Sequence, residues 1–161
     1  MTDFIIWLEN SLLGNYMIDS IWAYPVILSA HAVGMSIVVG TVVVIDLRLL
    51  GFAADAPFDS FKSMFALTWV GVALNFLSGI ALLVSDPAQF FYHPVFWIKM
   101  GLMFTGVISI YFLWRQINLQ GNSMQGMFGA SSRVKLLAGL SLLVWLSVVV
   151  AGRLIAYIEI A

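Results

Sequence analysis

The 161-residue sequence contains no cysteine, and charged residues make up only 9% of the chain. Without cysteine there is no disulfide, thiolate metal site, iron–sulfur cluster or cysteine nucleophile. A soluble domain carries about 25% charged residues, whereas this chain is 62% hydrophobic with a mean hydropathy of +1.03. There is no basic patch that would indicate nucleic acid, and the N-terminus lacks the basic region of a cleavable signal peptide. We therefore expect an integral membrane protein that inserts through its own helices.

Four apolar stretches are long enough to cross a bilayer, whose hydrocarbon core requires about 20 helical residues. They cover residues 22–45, 64–84, 95–114 and 136–157. Residues 3–19 are more polar, and their apolar residues recur at the spacing of an amphipathic helix that lies in the membrane interface. The sequence predicts an all-α fold, with this interfacial helix in residues 1–20 and a four-transmembrane-helix bundle in residues 21–161.

Small residues in the four spans predict which helix faces pack together, because they let membrane helices approach closely. They recur at or near four-residue spacing in the first three spans and less regularly in the fourth. The residues are Ala30 and Gly34; Gly71, Asn75 and Gly79; Gly101, Thr105 and Ser109; and Ser141 and Gly152. We expect these faces to point into the bundle.

Basic residues outside the spans occur on only one side of the predicted bundle. The loops after the first and third spans are flanked by Arg48, Lys62, Arg115, Arg133 and Lys135, whereas the N-terminal segment and the loop after the second span have no Lys or Arg. Cytoplasmic loops are enriched in these residues. The sequence therefore predicts a bacterial inner-membrane protein with both termini in the periplasm.

His31 lies near the middle of the first span, and an ionisable side chain at that depth is by default a functional hypothesis. With a rise of about 1.5 Å per residue, Asn75 of the second span reaches a similar depth. Lys99 and Arg153 lie closer to the outer boundary, and no acidic residue matches them in depth. We interpret His31, Asn75, Lys99 and Arg153 as one polar site in the outer half of the bundle.

Several roles for this site remain open. His31 is either a structural residue, hydrogen-bonded to Asn75, Ser29 or a backbone carbonyl, or an axial ligand to haem b, since helix bundles bind haem through core histidines. In the second case Lys99 and Arg153 would pair with the haem propionates; otherwise both extend to the interface. Copper is a third alternative, because Met35 shares a helix face with His31 and thioethers bind Cu(I).

Two further polar residues are predicted to be structural. His93 follows two phenylalanines and a tyrosine in a predicted turn, where we expect an interfacial side chain at the outer surface. Asp46 lies where the first span is predicted to end, and we expect it to pair with Arg48 or Arg115. No Ser/His/Asp set, carboxylate pair or phosphate-binding glycine loop indicates a hydrolase or a nucleotide enzyme, and enzymatic activity stays an open question.

The sequence resembles a family of short bacterial four-helix membrane proteins of unknown function. The motifs that support this are HxxG at His31, DLRLLG at Asp46, PxFxxK ending at Lys99, and GRLIAY at Gly152. Members often have a further histidine near the inner end of the third span, where this chain reads Leu-Trp-Arg at residues 113–115. A five-coordinate, methionine-ligated or haem-free protein therefore also stays open.

A more distant similarity connects the histidine of the first span and the WxKxxL pattern of the third to two other groups. These are the copper-resistance D-type proteins and the J-type membrane protoporphyrinogen oxidases, and the resemblance implies haem or porphyrin handling. Our leading hypothesis is that His31 binds haem b or a porphyrin for electron transfer or haem handling. The alternatives are a non-catalytic accessory subunit of a larger membrane complex and a small copper-handling protein or carrier. The expected partners are the lipid bilayer and other membrane subunits or a second copy of the chain.

Overall fold

The chain is described by a computed structural model that covers residues 2–52, 59–120, 132–155 and 157. Within these residues the structure is helical and contains no strand. The helices in chain order are α1 (Thr2–Glu9), α2 (Leu12–Asp19), α3 (Ala23–Leu50), α4 (Asp59–Ser85), α5 (Pro87–Tyr92), α6 (Pro94–Gln120) and α7 (Ser132–Ile155). The prediction of an all-α fold is confirmed.

The four long helices α3, α4, α6 and α7 are each long and apolar enough to cross a membrane. Their described apolar segments have mean hydropathies between 1.6 and 2.3 and comprise Ala23–Leu50, Ser63–Ser85, Pro94–Gln116 and Ser132–Ile155. Each segment exceeds the roughly 20 residues that a hydrocarbon core requires. By length and composition the protein is therefore a multi-pass membrane protein with these four predicted spans.

Helix α3 continues beyond the predicted end of the first span. It passes Asp46 and Arg48 and ends only at Gly51, whose φ of 108° lies in the left-handed region. The N–H of Phe52 then donates to the carbonyl of Leu47 at 3.0 Å, which closes the helix end. Charged side chains do not terminate a helix, whereas a glycine that adopts this conformation does.

The N-terminal segment is divided into two helices instead of forming one. The break falls at Ser11, whose side chain accepts a hydrogen bond from the N–H of Gly14 at 3.1 Å and so caps α2. Helix α2 packs against α3 and α4, and α1 contacts α5. Helix α5 itself forms within the predicted turn after the second span, where Asp86 caps it through a bond from the N–H of Gln89.

The spans pack in the order α4, α3, α7, α6, with α3 and α7 in the centre. Within the described residues, α4 and α6 are not in extensive contact. The hydrophobic core lies toward the C-terminal half of α3 and includes Trp145, which is 0% exposed. Its other buried members are Val38, Val42, Ile45, Leu49, Phe65, Ile110, Leu113, Val134, Ala138 and Val148. The core therefore lies in the half of the bundle away from His31.

The predicted small-residue faces are correct on α3 and α4. A Cβ at Gly34 would lie 2.8 Å from the backbone nitrogen of Asn75, and one at Gly71 would lie 2.8 Å from the side chain of Ile37. Because real Cβ atoms do not approach backbone this closely, glycine at position 34 sets the separation of the two helices.

The prediction for α6 is correct at Ser109, which bonds to Ser141 of α7, and wrong at the other two positions. Gly101 and Thr105 are exposed, and the helix instead approaches α7 at Gly106, where a Cβ would lie 2.9 Å from the ring of Trp145. The face that α6 buries is set by the shape of α7, in particular by this indole. A stripe of small residues that faces lipid has the same sequence pattern as one that faces a helix.

Candidate functional site

The imidazole of His31 is half-buried on α3 and contacts α4. Its Nδ1 lies 3.1 Å from the hydroxyl oxygen of Ser78. Ser78 has a single hydroxyl proton, which it donates to backbone carbonyls of its own helix, the nearest being that of Leu74 at 2.7 Å. With that proton engaged, the Ser78 oxygen is left to accept and His31 Nδ1–H to donate. The hydrogen-bond network therefore favours the tautomer with the ring proton on Nδ1.

The other ring nitrogen of His31, Nε2, then carries an available lone pair. Among the described residues, Ser78 is the side chain that hydrogen-bonds to the ring, and the backbone of Asn75 also lies close enough to interact with the ring. A histidine that binds a metal generally donates its second ring N–H to a nearby acceptor, which fixes the tautomer and the orientation of the ring. His31 has this arrangement and is thus prepared to act as a ligand through Nε2.

Asn75 contacts His31 in two ways, because its side chain bonds to the backbone of His31 and its own backbone lies beside the imidazole. Its side-chain amide is buried and donates to the carbonyl of His31 at 3.1 Å. Gly79, one turn further along α4, faces the ring, and a Cβ there would lie 3.4 Å from Cε1 of His31. Gly34, Asn75 and Gly79 together let α3 and α4 approach closely enough for the imidazole to reach Ser78.

Lys99 is the predicted site residue on α6, and its side chain also contacts α7. Its side chain extends from α6 across Gly152 of α7, where a Cβ would lie 3.5 Å from the lysine Nζ. Lys99 is close enough to His31 for its charge to act on the imidazole. No acidic side chain of the described residues acts on Lys99 in turn. Helices α6 and α7 therefore place a lysine within electrostatic range of the imidazole, and this lysine has no acidic partner among the described residues.

Arg153 is directed elsewhere. Its guanidinium is exposed, donates to the hydroxyl of Tyr157 at 3.1 Å and lies over the same ring at 5.4 Å from the centroid. Both contacts therefore join residues only four positions apart in the sequence. Of the four predicted site residues, the structure brings together His31, Asn75 and Lys99, and it does not place Arg153 with them.

The residues considered as alternatives have other neighbours. Ser29 donates to the carbonyl of Pro25 at 2.7 Å, within its own helix. Met35 packs against the hydrophobic core cluster. Within the described residues, no three His, Asp or Glu side chains lie close enough together to hold a metal ion.

The expectation that His93 is an interfacial side chain at the surface is wrong. His93 is only 1% exposed, caps the end of α5 and accepts a hydrogen bond from the N–H of Val95 at 3.2 Å. Its burial follows from the formation of α5, which folds the loop back over the start of α6. A pattern of aromatic residues and prolines in a short connection does not distinguish this arrangement from an open turn.

The expected ion pair of Asp46 is also absent. Neither carboxyl oxygen of Asp46 has a hydrogen-bond partner among the described residues, and the side chain is 0% exposed. Arg48 is two positions further along α3, and residues at this spacing do not face each other on a helix. Arg115 is exposed near the end of α6. Asp46 instead faces Ser141 of α7.

Sequence reasoning did not identify Ser78 as part of the site. The available signal was its position three residues after Asn75, which places both on one face of α4. Serine in a membrane helix commonly bonds to its own backbone, as Ser36 and Ser147 do. Only the tertiary structure shows that Ser78 also accepts from His31.

The fold and the site together define a four-span membrane protein with a polar cluster in one half of an otherwise apolar bundle. The sequence matches the model of a family of unknown function, DUF6644, over residues 4–158. The chain belongs to this family. No curated protein and no solved structure is significantly similar to it.

Proposed function

We propose that the protein binds haem b or a related porphyrin through Nε2 of His31 and serves in electron transfer or haem handling. The observation that supports this is the hydrogen bond from His31 to Ser78. It leaves Nε2 as the free nitrogen of a half-buried ring, which is the state that an axial histidine requires. Bound haem would supply one-electron chemistry, while the protein would orient the ring through His31 and Ser78.

Haem fits this site better than a bare metal ion. A copper or zinc ion needs several protein ligands, and the described residues contain no such group around His31. Haem iron is already held by the ring nitrogens and needs only an axial side chain. A single histidine is therefore sufficient for haem and insufficient for a closed metal site.

Lys99 supplies the second element of the proposal. A cation without an acidic partner is costly at this depth, and a haem propionate would provide the missing negative charge. The side chain lies across Gly152, where the absence of a Cβ leaves room for it, and its charge acts on His31. Arg153 would contribute only if its contacts with Tyr157 were exchanged for a propionate, so we assign it a smaller role.

An absorption spectrum of the purified protein tests the proposal. The full chain is expressed with ample haem supply, extracted in mild detergent and compared with a membrane protein of similar size purified in parallel. We expect a Soret band that remains with the protein through size-exclusion chromatography. A colourless protein would overturn the haem proposal. Recovery of that colourless protein in complex with other membrane proteins would instead support the accessory-subunit alternative.

We also propose that the protein lies in a bacterial inner membrane with both termini in the periplasm. The support is the distribution of basic residues, which flank only the loops after the first and third spans. A reporter that is active only in the periplasm should give a signal when it is fused after Ala161. A reporter that is active only in the cytoplasm should give a signal when it is inserted at Gly121. The reverse pattern would invert the orientation and place His31 in the inner half.

A further inference from the structure

The buried carboxyl group of Asp46 has no role in the site around His31. The two residues are 15 positions apart on α3, about 22 Å along the helix axis. Asp46 therefore cannot neutralise Lys99, and it lies within the bundle where α3 packs against α7. Its side chain is 0% exposed, and neither of its oxygens has a hydrogen-bond partner among the described residues.

An ionised carboxylate in this environment has no cation among the described residues to pair with, and only the hydroxyl of Ser141 lies beside it. Buried charges in proteins are otherwise paired, hydrogen-bonded or bound to metal. Among the described residues, the buried side-chain nitrogen and oxygen atoms that lack a partner belong only to Asp46 and Trp145. Native structures contain few such atoms, and each one requires an explanation.

Among the side chains that the structure describes, no cation is placed to pair with the carboxyl group of Asp46. Arg133 and Lys135 of α7 are exposed, and Lys135 precedes Ser141 by about 9 Å along the helix. Arg115 of α6 is exposed as well.

The remaining charged residues near Asp46 give no pairing either. Arg48 is on α3, like Asp46, at a spacing at which the two side chains do not face each other. The side chains of Asp59 and Lys62 on α4 lie outside the described residues. Asp19 of α2 is at the opposite end of the bundle.

A short chain of hydroxyl groups connects Asp46 to the neighbouring helices. Ser141 of α7 faces the carboxyl group, and its oxygen lies 3.3 Å from that of Ser109 on α6. Ser109 donates its own proton to the carbonyl of Gly106 at 2.7 Å. The proton of Ser141 is therefore available for Asp46 or Ser109, and its oxygen is available to accept from a protonated carboxyl group.

We infer that Asp46 is a proton-binding site, in which the carboxyl group carries a proton in the resting protein and shares it with the hydroxyl of Ser141. On release, the O–H bond of the carboxyl group breaks, the electron pair stays on the Asp46 oxygen and the proton passes to water. Helix α3 ends four residues beyond Asp46, about 6 Å along the axis, and the proton would leave the bundle at this end. The site thus binds and releases a proton at the end of the bundle opposite His31.

Infrared spectroscopy of the full chain in lipid, with the aspartate side chains labelled with ¹³C, tests this inference. A protonated carboxyl group has a C=O stretch that is separate from the carboxylate and amide bands, and the label assigns it to aspartate. We expect one labelled C=O band at neutral pH. It should be lost in Asp46→Asn and retained in Asp86→Asn, since Asp86 is exposed and asparagine also caps a helix.

The hydroxyl partner provides a second measurement, which does not require Asp46→Asn to fold. Ser141→Ala should shift the labelled band, because the hydrogen bond to the carboxyl group is removed. Ser147→Ala is the matched control on α7, since its hydroxyl is exposed and bonds to the carbonyl of Leu143. Absence of the band at neutral pH, or its persistence in Asp46→Asn, would overturn the inference. Loss of the band on addition of sodium at constant pH would identify a sodium site instead.

Discussion

His31→Ala is expected to abolish haem retention, so that the purified variant shows no Soret band. The imidazole is the only described side chain at the site with a nitrogen lone pair and a fixed tautomer, whereas the other residues only position it or supply charge. Ser78→Ala should keep the band but lower haem affinity by about 10- to 100-fold, which is the usual effect of removing a partner that orients a metal-binding histidine. Haem titration of the apoprotein measures both effects.

Two control comparisons make this prediction specific. His93→Gln should retain the full band, because the His93 side chain accepts from the N–H of Val95 and glutamine keeps a hydrogen-bond acceptor there. Lys99→Gln should weaken haem retention more than Arg153→Gln, because only Lys99 lies close enough to act on His31. An intact Soret band in His31→Ala would exclude this residue as the ligand. Equal effects of the two cation variants would contradict the role assigned to Lys99.

Trp145→Ala is expected to lower the free energy of unfolding by about 3–5 kcal/mol, the range for removal of a fully buried large side chain. The indole is 0% exposed and packs against Gly106 and the core cluster. Lipid cannot fill the resulting cavity, because the site is enclosed by protein on all sides. Denaturation in mixed micelles, followed by circular dichroism, measures the change.

Two further variants test whether burial is the cause. Trp69→Ala removes an exposed tryptophan of α4 and should cost far less. Trp145→Phe should also cost less than Trp145→Ala, because it retains most of the ring and removes a buried N–H that has no partner among the described residues. If Trp69→Ala and Trp145→Ala had similar effects, burial would not explain the loss.

The amino-acid sequence alone determined the spans, because a bilayer requires about 20 apolar helical residues and the chain contains four such segments. It also indicated which faces of α3 and α4 point into the bundle, since small residues recur at helical spacing on each helix, at Ala30 and Gly34 and at Gly71, Asn75 and Gly79. These features depend on local composition and on the period of one helix. They do not require knowledge of which helices are neighbours, and so they could be predicted.

The end of α3 and the break between α1 and α2 depend on capping at single positions. Gly51 ends α3 by adopting a left-handed conformation, and Ser11 starts α2 by accepting from the N–H of Gly14. Both residues are visible in the sequence. Whether each residue caps a helix or lies within one continuous helix depends on small differences in free energy. The periodicity of apolar residues does not report these differences.

Only the tertiary structure decided which polar residues meet. It joined His31 to Ser78 and Lys99, directed Arg153 toward Tyr157, and enclosed Asp46 without the ion pair that its position suggested. Depth along a span follows from the rise per residue, but contact also depends on the rotation of each helix about its axis and on the order of helices in the bundle. In lipid this rotation is set by the close fit of side chains such as Gly106 against Trp145. Hydropathy cannot report that fit, because the packed face and the lipid-facing surface are both apolar.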